Sequence, residues 1–167
     1  AFAATNLKEL VALAKKEPGK IGYATPGVGT PHHLAGEMFS KAAGIQLNHV
    51  PYKGGAPALN DAIAGHVQTV AVNALEALPH ARSGRLRVLA VLSPARSAIF
   101  PEVPTIAESG FAGFEAAVWY GVVGPAGLPS AAVIRLHAEV QKALAAPEVR
   151  ERLANAGGEV LPGPVEQ

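Results

Sequence analysis

The chain has 167 residues, of which 49% are hydrophobic and 16% charged; that is enough to build the core of an ordinary domain and too apolar for a disordered segment. Fourteen Lys+Arg face 13 Asp+Glu, no basic block occurs and aromatics are only 5%, which argues against nucleic acid and anionic membrane surfaces as partners. Cysteine is absent, which excludes disulfide scaffolds, thiolate zinc sites and cysteine nucleophiles and suits cytosol or periplasm equally.

Helices and strands alternate from the start. Thr5 reads as the cap of a helix carrying Leu7, Leu10, Val11 and Ala14 on one face, stopped by Pro18-Gly19. Residues 21–25 read as a short strand running into Pro26-Gly27-Val28-Gly29-Thr30-Pro31. Gly27 and Gly29 allow a tight turn and close backbone approach, Thr30 is a good N-cap, and Pro31 suits the first helical position. Such a turn is either an ordinary strand-to-helix junction or an anion site made by unpaired N–H groups and the positive end of the helix dipole. The following helix carries Leu34, Met38, Phe39 and Ala42 and ends at Gly44.

Residues 45–50 read as a second strand, and Pro57 as the start of a helix that stops at Gly65. Residues 67–72 form a third apolar strand; Asn73 with Glu76 three residues on has a capping-box pattern. Residues 86–92 are a nearly continuous apolar run, the signature of a buried parallel strand. Four strands alternating with helices predict an open, mainly parallel α/β sheet.

The rhythm breaks at residues 93–104, where prolines interrupt it, marking a domain boundary or crossover. A short helix capped by Thr105 with Glu108 follows. Residues 114–123, with Trp119, read as a strand. A long helix places Val133, Leu136, Val140 and Leu144 inward, and another covers about 147–156. One strand and two helices cannot close a core alone, so this part needs a partner surface.

In an open parallel sheet, ligands bind beyond the carboxyl ends of the strands. Three turns qualify: residues 25–33, 52–57 and the Val72-Asn73 junction. Lys53 can add a cation there or be solvated. Tyr52 can wall a pocket or cover the core edge, and His33 can donate to a ligand or simply pack. Adjacent His32 and His33 diverge on a helix, and His49, His66, His80 and His137 lack ligand spacing, so no metal site is expected. Gly-x-Ser-x-Gly, Walker and Gly-x-Gly-x-x-Gly patterns are missing. Glu37, Asp61, Glu76 and Glu108 read as solvated or capping carboxylates, and no catalytic pair is assembled from them.

Taken with their spacing, these blocks resemble the substrate-binding proteins of tripartite tricarboxylate transporters, the Bug or TctC-like family. The resemblance rests on Gly27-Val28-Gly29-Thr30, His33-Leu34-Ala35-Gly36-Glu37, His49-Val50-Pro51-Tyr52-Lys53-Gly54, and Ala56-Pro57-Ala58-Leu59. Asn73 with Ala77-Leu78-Pro79-His80, Val103-Pro104-Thr105, Trp119-Tyr120-Gly121 and Pro125-Ala126-Gly127 extend it over essentially the whole chain.

The resemblance implies a periplasmic-binding-protein-like α/β fold, with residues 1–98 as the second, carboxylate-binding lobe and 99–167 as the crossover and an incomplete first lobe. It implies an extracytoplasmic, cofactor-free solute-binding protein, not an enzyme, that closes on a small carboxylate and delivers it to membrane permease subunits. Carried over, ligand contacts fall on Thr25, Gly27, Gly29, Thr30, His33, Tyr52, Lys53, Gly54, Ala56 and Asn73. Trp119 matches a family tryptophan on the returning strand. Family members carry a longer N-terminal region supplying the opposing half of the site and a final C-terminal helix, so this chain reads as a fragment or truncated form, its signal peptide not included. The family often has aspartate at Gln68 and Val72, and threonine at Leu128. The alternatives are an interaction module that self-associates through the incomplete lobe and, more remotely, an enzyme relying on His33, Lys53 and Tyr52.

Overall fold

The computed structural model describes residues 2–118, 120–155 and 160. It comprises two compact units, Ala1–Val118 and Trp119–Gln167. In the first unit the order is α1 (Leu7–Lys16), β1 (Gly22–Thr25), α2 (Pro31–Ala43), β2 (Asn48–Pro51), α3 (Gly55–Ala64), β3 (Thr69–Val70) and α4 (Ala74–Arg82). The second holds α5 (Ser130–Ala145) and α6 (Pro147–Asn155).

The strands form one parallel sheet in the order β2-β1-β3, with Gly22 to Thr25 paired in register against Asn48 to Pro51. Central β1 is buried at all four residues, as expected of a strand covered on both faces. Only Tyr23 and Ala24 pair with β3. The reason is local: the Gly22 N–H is taken by the Gln68 side-chain oxygen at 2.7 Å, and the Thr69 hydroxyl donates to the Gly22 carbonyl at 3.1 Å. Side chains replace the next rung, and the strand expected over 67–72 shrinks to two residues.

Helix α1 is capped by Asn6, not Thr5. The Asn6 oxygen accepts from the Glu9 N–H at 3.0 Å, while the Thr5 N–H and hydroxyl both donate to the Glu9 carboxylate. Its inward face, Leu7, Leu10 and Ala14, joins Ile21, Phe39, Ala43, Ile45, Ile106 and Phe114 in the main core. A smaller cluster of Ala24, Ala58 and Val67 packs α3 onto the sheet.

The apolar run 86–92 is not a strand. Val91 donates to the Pro104 carbonyl, Ile106 to the Val91 carbonyl and Ala116 to the Leu92 carbonyl, so the run exchanges hydrogen bonds with an irregular segment and keeps only the bridge between Val91 and Thr105. Pro104 has no N–H to return, which stops a ladder there. Thr105 and Glu108 do form the reciprocal cap, at 2.8 and 3.0 Å, but over a turn. Through Ile106 and Phe114 this segment packs into the first unit, which runs to Val118.

Among the described residues of 114–123 no strand forms, and Tyr120, Val122 and Val123 are largely exposed. In α5, Val133, Val140 and Leu144 are half-buried as expected, but Leu136 is exposed. Its N-cap position is Pro129, which offers no side-chain cap.

Candidate functional site

The parallel sheet sends three strand ends, Thr25, Pro51 and Val70, toward the starts of α2, α3 and α4. The first two loops are stitched together by the backbone. The Tyr52 N–H donates to the Thr25 carbonyl at 3.0 Å and the Gly54 N–H to the Pro26 carbonyl at 2.9 Å. A side-chain bond ties in the third: His32 Nε2 and Asn73 Oδ1 are 3.2 Å apart, linking the first turn of α2 to the residue before α4.

The glycine loop is held from within. The Thr30 hydroxyl donates to the Gly27 carbonyl at 2.8 Å and accepts from the His33 N–H at 3.3 Å. Thr25, fully buried, bridges Gly27 and sits 2.6 Å from His49 Nε2. Gly27 has φ +156°, and a Cβ there would lie 3.4 Å from the Tyr52 carbonyl. A side chain would strain the backbone and press on the neighbouring loop. The Gly29 N–H donates to His33 Nδ1 at 3.1 Å, so that ring nitrogen is unprotonated in this arrangement.

Helices α3 and α4 start differently. Neither Gly54 nor Asn73 provides a side-chain cap, the Asn73 oxygen being turned to His32. Their first N–H groups thus lack a side-chain cap from the residue before the helix, and at the start of α3 the Glu76 carboxylate lies against buried Gly55. Ala56 and Lys53 are exposed on the second loop and Val28 at the tip of the first. The Tyr52 hydroxyl donates to Asp61 at 2.6 Å. That bond raises the pKa of the phenol and lowers that of the carboxyl, which His66 lowers further.

Beneath the loop lies a side-chain network that sequence reasoning missed. The Tyr23 hydroxyl donates to Glu37, the rings of His33 and His49 stack with centroids 4.0 Å apart, and Tyr23 tilts against His49. Glu37 also sits 3.9 Å from His33 Nε2. Burial above all, and then Glu37, raises the Tyr23 pKa. The available signal was register: once β1 and β2 pair in parallel, Tyr23 stands opposite His49.

Burial, then the neighbouring His33, holds the His49 pKa below 6.5, with Glu37 opposing. The folded chain thus takes up this proton less readily than the unfolded chain. Its contribution to stability is complete above about 6.5 and is lost as pH falls through that value toward the depressed folded one. We expect the urea midpoint to drop between about pH 7.5 and 5.5, and His49→Gln to flatten that drop. An identical pH dependence in the variant would rule this out.

Thr25, Gly27, Gly29, Thr30, His33, Tyr52, Lys53, Gly54, Ala56 and Asn73 thus lie in or at the edges of three adjoining strand-to-helix junctions. Trp119 lies outside the described residues. No group of three or more His, Asp or Glu suited to a metal occurs among the described residues.

A parallel sheet with helix starts gathered over its strand ends offers a place for a small anion. The model of the tripartite tricarboxylate transporter family receptor matches residues 1–167, and the chain belongs to that family. It is 41% identical over 153 residues to the "UPF0065 protein in tcbD-tcbE intergenic region" of Pseudomonas sp. (strain P51), covering 91% of this chain and 46% of that protein. Among solved structures it resembles "R. palustris Rpa4515 with adipate", at 32% identity and a TM-score of 0.84, covering 94% of this chain and 52% of that one. It also resembles the periplasmic binding protein BugD, at 36% identity and a TM-score of 0.79, covering 96% and 54%. The chain spans about half the length of each of these three proteins. The family is one of solute-binding receptors, not enzymes. No helix among the described residues is long and apolar enough to cross a membrane.

Proposed function

We propose that this chain carries one half of the solute clamp of an extracytoplasmic, periplasmic receptor that binds a small carboxylate and passes it to the membrane subunits of a tripartite transporter. The observation that carries the reading is the convergence of the Gly27-to-Thr30 loop with the uncapped starts of α3 and α4. The carboxylate would accept from the Val28 N–H at the tip of that loop, the Gly27, Gly29 and Thr30 N–H groups being taken within the loop, and from Gly55 and Ala56, with Thr30 holding the loop's shape and Lys53 adding charge at its rim. The adipate named for the R. palustris structure makes a dicarboxylate the first probe. In this reading residues 1–98 form the carboxylate lobe, and 99–167 the crossover and part of the other lobe. Half-length coverage supports an opposing wall supplied by further chain.

Calorimetric titration of the chain with adipate, succinate, citrate and uncharged adipamide tests this. We expect a Kd weaker than about 0.1 mM for the carboxylates and no heat from the amide. Gly27→Ala should weaken binding at least about fivefold, through the strain it places on the loop. Nanomolar affinity would contradict the half-clamp, and equal response to the amide would contradict carboxylate recognition. A second reading, self-association through α5, is favoured by the exposure of Ile134 and Leu136. Sedimentation of the same samples separates it: a dimer that shows no carboxylate heat supports association instead.

A further inference from the structure

The tip of the glycine loop is fastened by a group whose grip depends on its protonation. Gly29 is exposed at φ +77°, and a Cβ there would meet nothing within 4 Å. The tip therefore has room to re-aim its peptide groups, which glycine allows at little cost. What fixes it is the bond from the Gly29 N–H to His33 Nδ1, at 3.1 Å. That bond needs a neutral imidazole with its proton on Nε2. A protonated ring carries N–H on both nitrogens and has no acceptor left for Gly29.

We propose that His33 is a proton-operated latch on the Gly29 N–H, so that the loop holds a carboxylate more tightly when His33 is protonated. This rests on the carboxylate reading of the loop and adds its regulation. With neutral His33, Val28 is the loop amide left to a ligand, since the Gly27, Gly29 and Thr30 N–H groups are engaged. Protonation releases the Gly29 N–H as a second donor and sets a cation beside the anion. Imidazole changes charge within the physiological pH range, and the His33 side chain is 21% exposed, so protons reach it from solvent. Glu37, one turn along α2, lies 3.9 Å from His33 Nε2 and can hold the imidazolium. His49 of β2 stacks on the ring at 4.0 Å, and a charge on either opposes a charge on the other. Burial, the leading cause, lowers the His49 pKa, and its Nε2 sits 2.6 Å from the Thr25 hydroxyl, which leaves His33 as the ring that responds. Tyr23 of β1 keeps its proton, because burial and Glu37 raise its pKa. His33 thus acts through Gly29, as a positioning residue. By linkage, a carboxylate that prefers the protonated state draws in a proton as it binds.

Two measurements on the whole chain test this. In the ligand-free protein, NMR follows the Gly29 amide and the His33 ring protons from about pH 7.5 to 5.5. The Gly29 amide is expected to shift, and to lose protection from exchange, along the His33 titration curve. Calorimetry with adipate at about pH 7.5 and 6.0 then compares the native chain with His33→Asn, in which an acceptor stays near the place of Nδ1 but does not titrate. Native affinity should rise at least about threefold more than that of the variant, which also cancels the titration of adipate itself. A Gly29 amide indifferent to His33, or an equal rise in His33→Asn, would overturn the proposal. Adipate binding at neither pH would refute the carboxylate reading and the linkage to it, while the ligand-free titration still decides whether the latch exists.

Discussion

Phe39→Ala is expected to destabilise the first unit by about 3–5 kcal/mol, the range for removing a large buried aromatic side chain. Phe39 is 5% exposed and sits at the centre of the main core. Its ring meets Phe111 edge-on at 5.3 Å and Phe114 at 6.3 Å. Such pairs add about 0.5–1.5 kcal/mol beyond burial. Both partners come from the irregular segment after the prolines, which has no helix or strand of its own to hold it. Urea unfolding followed by far-ultraviolet circular dichroism measures the loss. A loss below about 1 kcal/mol would mean that the segment bearing Phe111 and Phe114 is not packed on α2.

Gly36→Ala should cost about 1–3 kcal/mol, the opposite of what helix propensity alone dictates. An alanine inside an exposed helix gains about 1 kcal/mol over glycine. At position 36, however, a Cβ would collide with Tyr23 Cε2 and lie 2.8 Å from its Cζ. The ring cannot retreat, because Tyr23 is buried and its hydroxyl is tied to Glu37 one residue along. Displacing it would also disturb the His49 and His33 stack under the glycine loop. The substitution should therefore weaken carboxylate binding as well as stability. Thermal unfolding at matched pH decides the sign, and a stabilised variant would refute the contact.

The path from sequence to site was clearest where local chemistry dominates. Thr30 and Pro31 mark the start of α2, and that helix starts where they place it, with the Thr30 oxygen capping His33. Gly44 and Gly65 end α2 and α3 as read. The three loops that gather over the sheet follow from strand, turn and helix order alone. What stayed hidden depends on tertiary pairing. Asn73 has the sequence of a cap, yet His32, 41 residues earlier, takes its side chain. Residues 86–92 have the composition of a strand, but the segment opposite begins with a proline carbonyl and turns away. Gln68 competes with the backbone for Gly22 and shortens β3. His49, Glu37 and Tyr23 carry no spacing signal and meet only through the β1–β2 register and the first turns of α2. Glu76 fits the capping pattern by spacing, but its carboxylate lies against Gly55 on α3 instead.

The central claim is that the glycine loop and the start of α3 together receive a carboxylate. Mapping amide chemical shifts while adipate is added, with adipamide as control, tests it most directly. Gly27, Val28, Gly29, Gly55 and Ala56 are expected to shift together along one saturation curve and to stay unmoved by adipamide. Shifts confined to other parts of the chain, or none at these five amides at saturating adipate, would contradict it.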